Sequence, residues 1–253
     1  MKVWKNIIPD AAITGRPLPE EENAMRKLLA LLTAALVLLA LPAAFAASET
    51  APPAPQPTLT LIGHAHLMIV TAEGTVIYID PYHIKGYTYE RKADLILVSH
   101  EDSDHNQVKL APQNEGCVIL RTRDTINKDG TYNIFTYGGV TVIPVPAKNG
   151  NHSIKSTNGF ILQFDGITVY HASDTDKLDS MADLRQYDVD YAFFPIDGRY
   201  NMDAAEAMEC AALVGAKHNT AIHWFNADPA EFKPDNLLFM NYGDTITLEK
   251  APE

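Results

Sequence analysis

Nine histidines occur in the chain, all between His64 and His223, with none in the first 63 or the last 30 residues. The densest polar cluster is Ser99-His100-Glu101-Asp102-Ser103-Asp104-His105, directly after the apolar run Leu95 to Val98. Two imidazoles and two aspartates within six residues supply borderline nitrogen and hard oxygen donors, the set that zinc or manganese takes. Taken alone, the stretch would serve equally well as a solvated acidic turn. Three more candidate donors follow, each at a strand end or in a loop beside one: His152 in KNGNHSI, Asp174 in YHASDTD and His223 in TAIHWF. No rival nucleophile competes with a metal reading. G-x-S-x-G is absent, and Cys117 and Cys210 have no partnered base nearby in sequence.

The series GHA (63–65), IDP (79–81), SHEDSDH (99–105), His152, HASDTD (171–176) and AIHWF (221–225) resembles the metallo-β-lactamase fold hydrolases. Its nearest likeness is to the branch with ascorbate-6-phosphate lactonase and the N-acyl phosphatidylethanolamine phospholipases, and it runs from about Thr60 to Phe225. The resemblance implies a four-layer αββα sandwich with its site at one edge of two mixed sheets. It also implies two divalent metal ions, zinc foremost and manganese or iron as alternatives. His100, Asp102 and His152 would hold one ion; Asp104, His105 and His223 would hold the other, with Asp174 and a hydroxide between them. Such a centre hydrolyses a small ester, lactone or phosphodiester without a protein nucleophile.

Around those ligands the expectations are looser. His64 and His171 are candidates for proton transfer or oxyanion contact, with a hydrogen-bonded structural histidine as the competing role for each. Asp80 reads as a carboxylate that orients ligand loops, or as an ordinary turn residue before Pro81. His66 and His83 are expected at the surface or the lip, and His218 in an exposed loop. Glu101 is expected to face solvent. The stretch Gly198 to Met202, with Trp224, either lines the substrate mouth or forms a capped turn. Two positions depart from the family pattern. Asp102 stands where the motif has a second histidine, adding negative charge and favouring a harder ion. Ser173 stands where glycine is usual, which matters only if that residue needs positive φ. Asp102 also motivates a second functional class, a fold member that binds metal or ligand without turnover.

The elements that must position these residues read as α/β. LTLIG (59–63), HLMIVTA (66–72) and TVIYID (75–80) are β-rich, with Glu73-Gly74 as a hairpin turn. DLILVS (94–99) is a continuous apolar run, as in a strand covered on both faces. CVILR, YNIFTY, VTVIPVP, GFILQF and ITVYHA follow, with Asp165-Gly166 turning the last pair. Residues 203–216 have helical spacing, and a short strand leads into His223. IVTAEGTVIYID echoes LQFDGITVYHASD, which suits two related halves packed together.

Length and charge narrow the class. The 253 residues hold 20 Lys+Arg against 32 Asp+Glu, a formal charge of −12. So acidic a chain has no basic stripe for phosphates, which points to a small-molecule substrate and away from nucleic acid. Residues 1–24 read as a leader or a mis-assigned start. Residues 25–46 carry Arg26-Lys27, an apolar core and Ala44-Phe45-Ala46, the pattern of a secretory signal. Residues 47–58 are a Pro-rich linker, and 59–253 are the hydrolase domain. The expected location is periplasmic or extracellular after cleavage near Ala46; an uncleaved anchor over residues 28–48 is the alternative, and the only route to a membrane. In an oxidising compartment Cys117 and Cys210 are equally suited to a disulfide or to two buried thiols.

Overall fold

The computed structural model describes residues 55–251. The leader, the signal segment and all but the end of the Pro-rich linker lie outside the described residues. Within them, twelve strands form two six-stranded mixed sheets. The first contains β1 (Thr58–Gly63), β2 (His66–Val70), β3 (Val76–Ile79), β4 (Ala93–Leu97), β5 (Gln113–Leu120) and the late edge strand β12 (Thr245–Thr247). Its order is β12-β1-β2-β3-β4-β5. The second contains β6 (Phe135–Tyr137), β7 (Val140–Pro146), β8 (Asn158–Phe164), β9 (Ile167–His171), β10 (Tyr191–Pro195) and β11 (His218–Ile222). These run in the order β11-β10-β9-β8-β7-β6.

Period-two alternation decides what each strand buries. Leu59, Leu61, Leu67, Ile69, Leu95 and Leu97 from the first sheet meet Val140, Val142, Phe160, Leu162, Val169 and Phe193 from the second, forming the inter-sheet core. Burying each such side chain is worth about 1.5–3 kcal/mol. The alternate residues face outward but stay covered. On the second sheet, Ile161, Tyr170 and Phe194 pack under α1 (Ala204–Val214) and the 3-10 segment Asp179–Tyr187. On the first, Ile62, Tyr78, Ile96 and Val98 lie under Ile84, Tyr87, Tyr89 and Val108. β4 is therefore apolar on both faces, as its unbroken sequence predicts. The expected sandwich is present, but its outermost layer over the first sheet is irregular chain rather than helix.

Helix α1 has the ends its sequence specifies. Asp203 Oδ1 accepts from the Glu206 N–H at 2.9 Å, and Gly215 closes the helix at φ 69°. The two hairpins that echo each other in sequence are β2–β3 and β8–β9, and each leads into a pair of parallel strands, β4–β5 and β10–β11.

That topology aims the chemistry. β1, β3 and β4 share one direction, so their C-terminal ends emerge on one edge of the first sheet, carrying His64, Asp80 and the 99–105 loop. β7, β9, β10 and β11 likewise share a direction, and their ends carry the loops of His152, Asp174, Asp197 and His223. The two edges are stitched together by backbone bonds from His223 N–H to His64 O (3.0 Å) and from Asn158 N–H to Ser99 O (3.1 Å).

Four expectations require correction or a decision here. His66 is not at a lip but completely buried, because it shares the outward face of β2 and the segment bearing Tyr87 and Tyr89 folds over it. Burial lowers its pKa to about 3, so the ring is neutral. His218 is not in an exposed loop: it opens β11, half-buried, stacked on Tyr191 at 4.9 Å. Cys117 and Cys210 are both free thiols, Cys210 fully buried under α1. Finally, β10 and β12 had no counterpart among the strands read from sequence. His83 and Glu101 are exposed as expected, Glu101 pairing with Arg121 at 2.6 Å.

Candidate metal centre

The site begins with Asp80, which follows β3 at φ 49° and is fully buried. Its Oδ1 accepts from the Ser99 N–H at 2.7 Å, and its Oδ2 accepts from Ser99 Oγ at 2.6 Å and His105 Nδ1 at 2.9 Å. Because Ser99 Oγ donates to Asp80, it can only accept from His100 Nδ1, 2.9 Å away. One carboxylate thus sets the tautomer of two histidines, directly for His105 and through Ser99 for His100. Burial alone would raise the Asp80 carboxyl, but the charge and hydrogen bond of His105 outweigh it and hold the pKa at about 2. Asp80 is an orienting residue and not an ordinary turn.

Asp197 repeats this arrangement in the second sheet. It follows β10, and its Oδ2 lies 3.0 Å from His223 Nδ1, an ion-pair contact rather than an aligned hydrogen bond. Asp197 Oδ1 accepts from the N–H groups of Arg199 (2.9 Å) and Tyr200 (2.6 Å), and Oδ2 from Asn201 Nδ2 (2.7 Å). Asn201 Oδ1 in turn accepts from Asn149 Nδ2 (2.9 Å), and Asn149 Oδ1 caps the His152 N–H (2.8 Å). The His152 loop and His223 are therefore locked to each other through three polar side chains.

With Nδ1 of His100 and His105 hydrogen-bonded and that of His223 in ion-pair contact with Asp197, three Nε2 atoms face inward. Those of His100, His105 and His223 are buried and have no hydrogen-bond partner, and neither has Asp174 Oδ1. Asp174 Oδ1 lies 3.3 Å from His105 Nε2 and 3.5 Å from His223 Nε2. Leaving four such atoms unmatched would cost a few kcal/mol. Divalent cations held among them would satisfy these atoms. The donor atoms fall into overlapping groups that could each hold an ion: His100, Asp102 and His152; His100, His105 and Asp174; His64, Asp104, His105 and His223. Asp102 Oδ2 is 3.2 Å from His152 Nε2 and 3.9 Å from His100 Nε2, on a side chain 56% exposed. Imidazole nitrogen with carboxylate oxygen suits zinc, manganese or iron.

The electrostatics match a cation site. Burial would raise Asp104 and Asp174, yet the surrounding imidazoles hold both carboxyls below their ordinary range. Burial would lower His105, yet Asp174 and Asp80 push it up to about 9, whereas burial and His105 push His100 down to about 4.

A family model described as the beta-lactamase superfamily domain matches residues 58–223. The chain belongs to the metallo-β-lactamase superfamily. A UPF0173 metal-dependent hydrolase of Thermococcus kodakarensis is 31% identical over 76% of this chain and 96% of its own length. Another from Methanosphaerula palustris is 32% identical over 68% and 85%. A solved metallo hydrolase from Ignicoccus hospitalis superposes with a TM-score of 0.61 at 23% identity, over 78% of this chain and all of its own, which speaks for the fold alone. The protein is thus a metal-dependent hydrolase of the metallo-β-lactamase superfamily.

Within this superfamily site the two flanking histidines separate. His64 is buried at φ 56°, its Nε2 3.1 Å from Asp104 Oδ2 and its ring 3.7 Å from that of His223. Burial lowers its pKa, with the Asp104 hydrogen bond opposing. His171, offered as a catalytic group by sequence, is corrected. Its Nε2 donates to Ala65 O at 2.8 Å and its Nδ1 accepts from the Ser173 N–H at 3.2 Å, which leaves no free nitrogen. It is a positioning residue that ties β9 to the His64 loop.

Ser173 does sit at positive φ, +62°, with its hydroxyl buried and unpartnered. Strain of this kind gathers at the site: His64, Asp80, Ser173, His223 and Phe225 are five of the seven non-glycine residues at positive φ among those described. Asn149 and Asp197 went unnoticed in the sequence, Ser99 was named only as part of the 99–105 cluster, and Asn201 only within the 198–202 stretch. Asp197 had one legible signal, an aspartate ending the apolar run YAFFPI in the same way that Asp80 ends VIYI. Trp224 stacks on Tyr242 at 3.9 Å and packs into the core, while its neighbour Phe225 takes the exposed place at the mouth.

Proposed function

We propose that this chain is an exported hydrolase whose centre holds two divalent ions and cleaves a small ester, lactone or phosphodiester. His100, Asp102 and His152 would hold one ion, Asp104, His105 and His223 the other, with Asp174 shared between them. When bound, the ions supply Lewis acidity and an activated water. The single observation that carries the reading is the set of three buried histidines, His100, His105 and His223, whose Nε2 atoms lack a hydrogen-bond partner beside the equally unpartnered Asp174 Oδ1.

The rest of the chemistry belongs to the chain's own side chains. Asp80, Ser99 and Asp197 hold the donor nitrogens in line. His64 keeps a proton at Nε2 against Asp104 Oδ2 and can pass it to a leaving group at the mouth. Tyr82 and Phe225, with ring centroids 5.2 and 5.0 Å from His64, cover that histidine and exclude water. The substrate class rests on the motif likeness to the lactonase and phospholipase branch, and export on the signal pattern of residues 25–46.

The test is elemental analysis of the chain from Ala47 to Glu253, paired with turnover of bis(p-nitrophenyl) phosphate and a panel of lactones. Two equivalents of metal and chelator-sensitive turnover lost in Asp104→Ala are the expected outcome. The exposed carboxylate of Asp102, in place of histidine, favours one other reading: a metal-binding member without turnover. Two tightly held ions and no hydrolysis on the panel would select it. Periplasmic protein beginning at Ala47 is the expected sign of export; a membrane-bound chain that keeps residues 28–48 would overturn it.

A further inference from the structure

A cavity of about 360 Å³ opens beside the metal centre, lined by Asp197, Arg199, Tyr200, Phe225, Asn226 and Ala227. One wall is continuous with the site: the Phe225 ring lies 5.0 Å from both His64 and His223, edge-on to each. Across from it the Tyr200 ring stands 6.2 Å away. Both rings are large and solvent-facing, Phe225 56% and Tyr200 41% exposed. The two rings are tilted 58° to each other, so they form an open aromatic wedge against which a flat apolar group can pack.

One cation faces this slot. In a chain of net charge −12, the Arg199 guanidinium lies over the Tyr200 ring, 4.8 Å from its centre, and has no carboxylate within 4.0 Å among the described residues. The one acid in the lining, Asp197, does not neutralise it, because its oxygens are turned inward to His223, Asn201 and the backbone N–H groups of Arg199 and Tyr200. The result is an uncompensated, planar, bidentate-capable cation at the rim of an aromatic slot.

We propose that this cavity is the recognition subsite, and that it selects substrates with a flat ring that bears an anionic group. The ring packs against the exposed Phe225 face in the aromatic wedge it forms with Tyr200, the carboxylate, sulfonate or phosphate pairs with Arg199, and the scissile bond points past Phe225 towards His64. The proposal rests on the metallohydrolase reading only for that last step; binding in the slot stands without it. Phe225 and Arg199 are then specificity-determining residues.

Benzenesulfonate is a suitable probe, since sulfonates are weak metal ligands and report the slot rather than the ions. Its binding to the metal-loaded protein would be followed by calorimetry beside methanesulfonate, which lacks the ring, and benzyl alcohol, which lacks the charge. Saturable binding of benzenesulfonate, at least tenfold tighter than either, is expected. Arg199→Gln and Phe225→Ala should each weaken it at least tenfold with metal content and Tm unchanged, and Lys155→Gln, which removes a charge elsewhere, should leave it unaltered. Equal binding in wild type, Arg199→Gln and Phe225→Ala would overturn the proposal, as would equal binding of all three probes. The two readings fail separately: binding retained in a protein that takes up no metal sinks the metallohydrolase alone, and chelator-sensitive turnover with no benzenesulfonate binding sinks the slot alone.

Discussion

Asp197 and Asp80 act through the histidines they hold. If Asp197 fixes His223 with Nε2 inward, Asp197→Asn should weaken metal binding about 10–100-fold. Competition titration with a chromophoric chelator would measure this, and an unchanged affinity would reduce Asp197 to a turn cap. His105 makes the centre pH-dependent. In the metal-free chain its pKa is raised from 6.5 to about 9, so its protonated form contributes stability that is complete below 6.5 and lost as pH rises through 9. A metal must displace that proton. Apparent affinity should therefore rise about tenfold per pH unit up to about pH 9 and then level off. A flat pH profile between 7 and 9 would contradict this protonation of His105. Ser173 carries strain without a hydrogen bond in return, because its φ of 62° and its orphan hydroxyl both disfavour serine there. Ser173→Gly should stabilise the protein by about 1 kcal/mol, read from denaturant unfolding.

At the scale of elements, the site depends on close approach between strands. A Cβ on Gly159 in β8 would stand 2.8 Å from His171 O and 3.1 Å from Ala172 O, at the point where β9 delivers Asp174. Both obstacles are backbone, so neither can rotate aside. Gly159→Ala should cost about 1–3 kcal/mol and lower metal occupancy with it. Full stability together with full occupancy would show that the strand end can shift freely. The parallel steps β3–β4 and β10–β11 explain why Asp80 and Asp197 play matching roles. Each aspartate terminates a central strand beside the loop that bears a histidine, so the same carboxylate-to-imidazole contact arises in both halves.

At the scale of the whole molecule, the sandwich is held by its inter-sheet core and two outer apolar layers, not by a cross-link. Cys210 is buried under α1, and burial pushes its thiol up to about 12. It should resist alkylation at pH 8 until the protein unfolds, and reducing agent should leave Tm unchanged. A Tm that falls on reduction would point instead to a disulfide. On the proposed reading, Arg199 at the cavity rim would draw a small anion to one place on an otherwise acidic chain.

Much of this protein was legible in its sequence. Alternation marks β1, β-rich apolar runs mark β2 and β8, the unbroken run of β4 signals burial on both faces, and capping residues delimit α1. The donor-rich loop 99–105 and the isolated His152, Asp174 and His223 stand out because donors at strand ends have little structural reason to be there. Tertiary structure decided what depends on neighbours distant in the chain. His66 and His171 look like His64 in sequence, yet one lies beneath a folded-over segment and the other spends both nitrogens on backbone. Asp197 gains its role only when β10 lies beside β11, and Phe225 replaces Trp224 at the mouth because Tyr242 claims the indole. Local pattern determines which residues can serve as donors, whereas the pairing of strands far apart in sequence determines which nitrogen of each is left free.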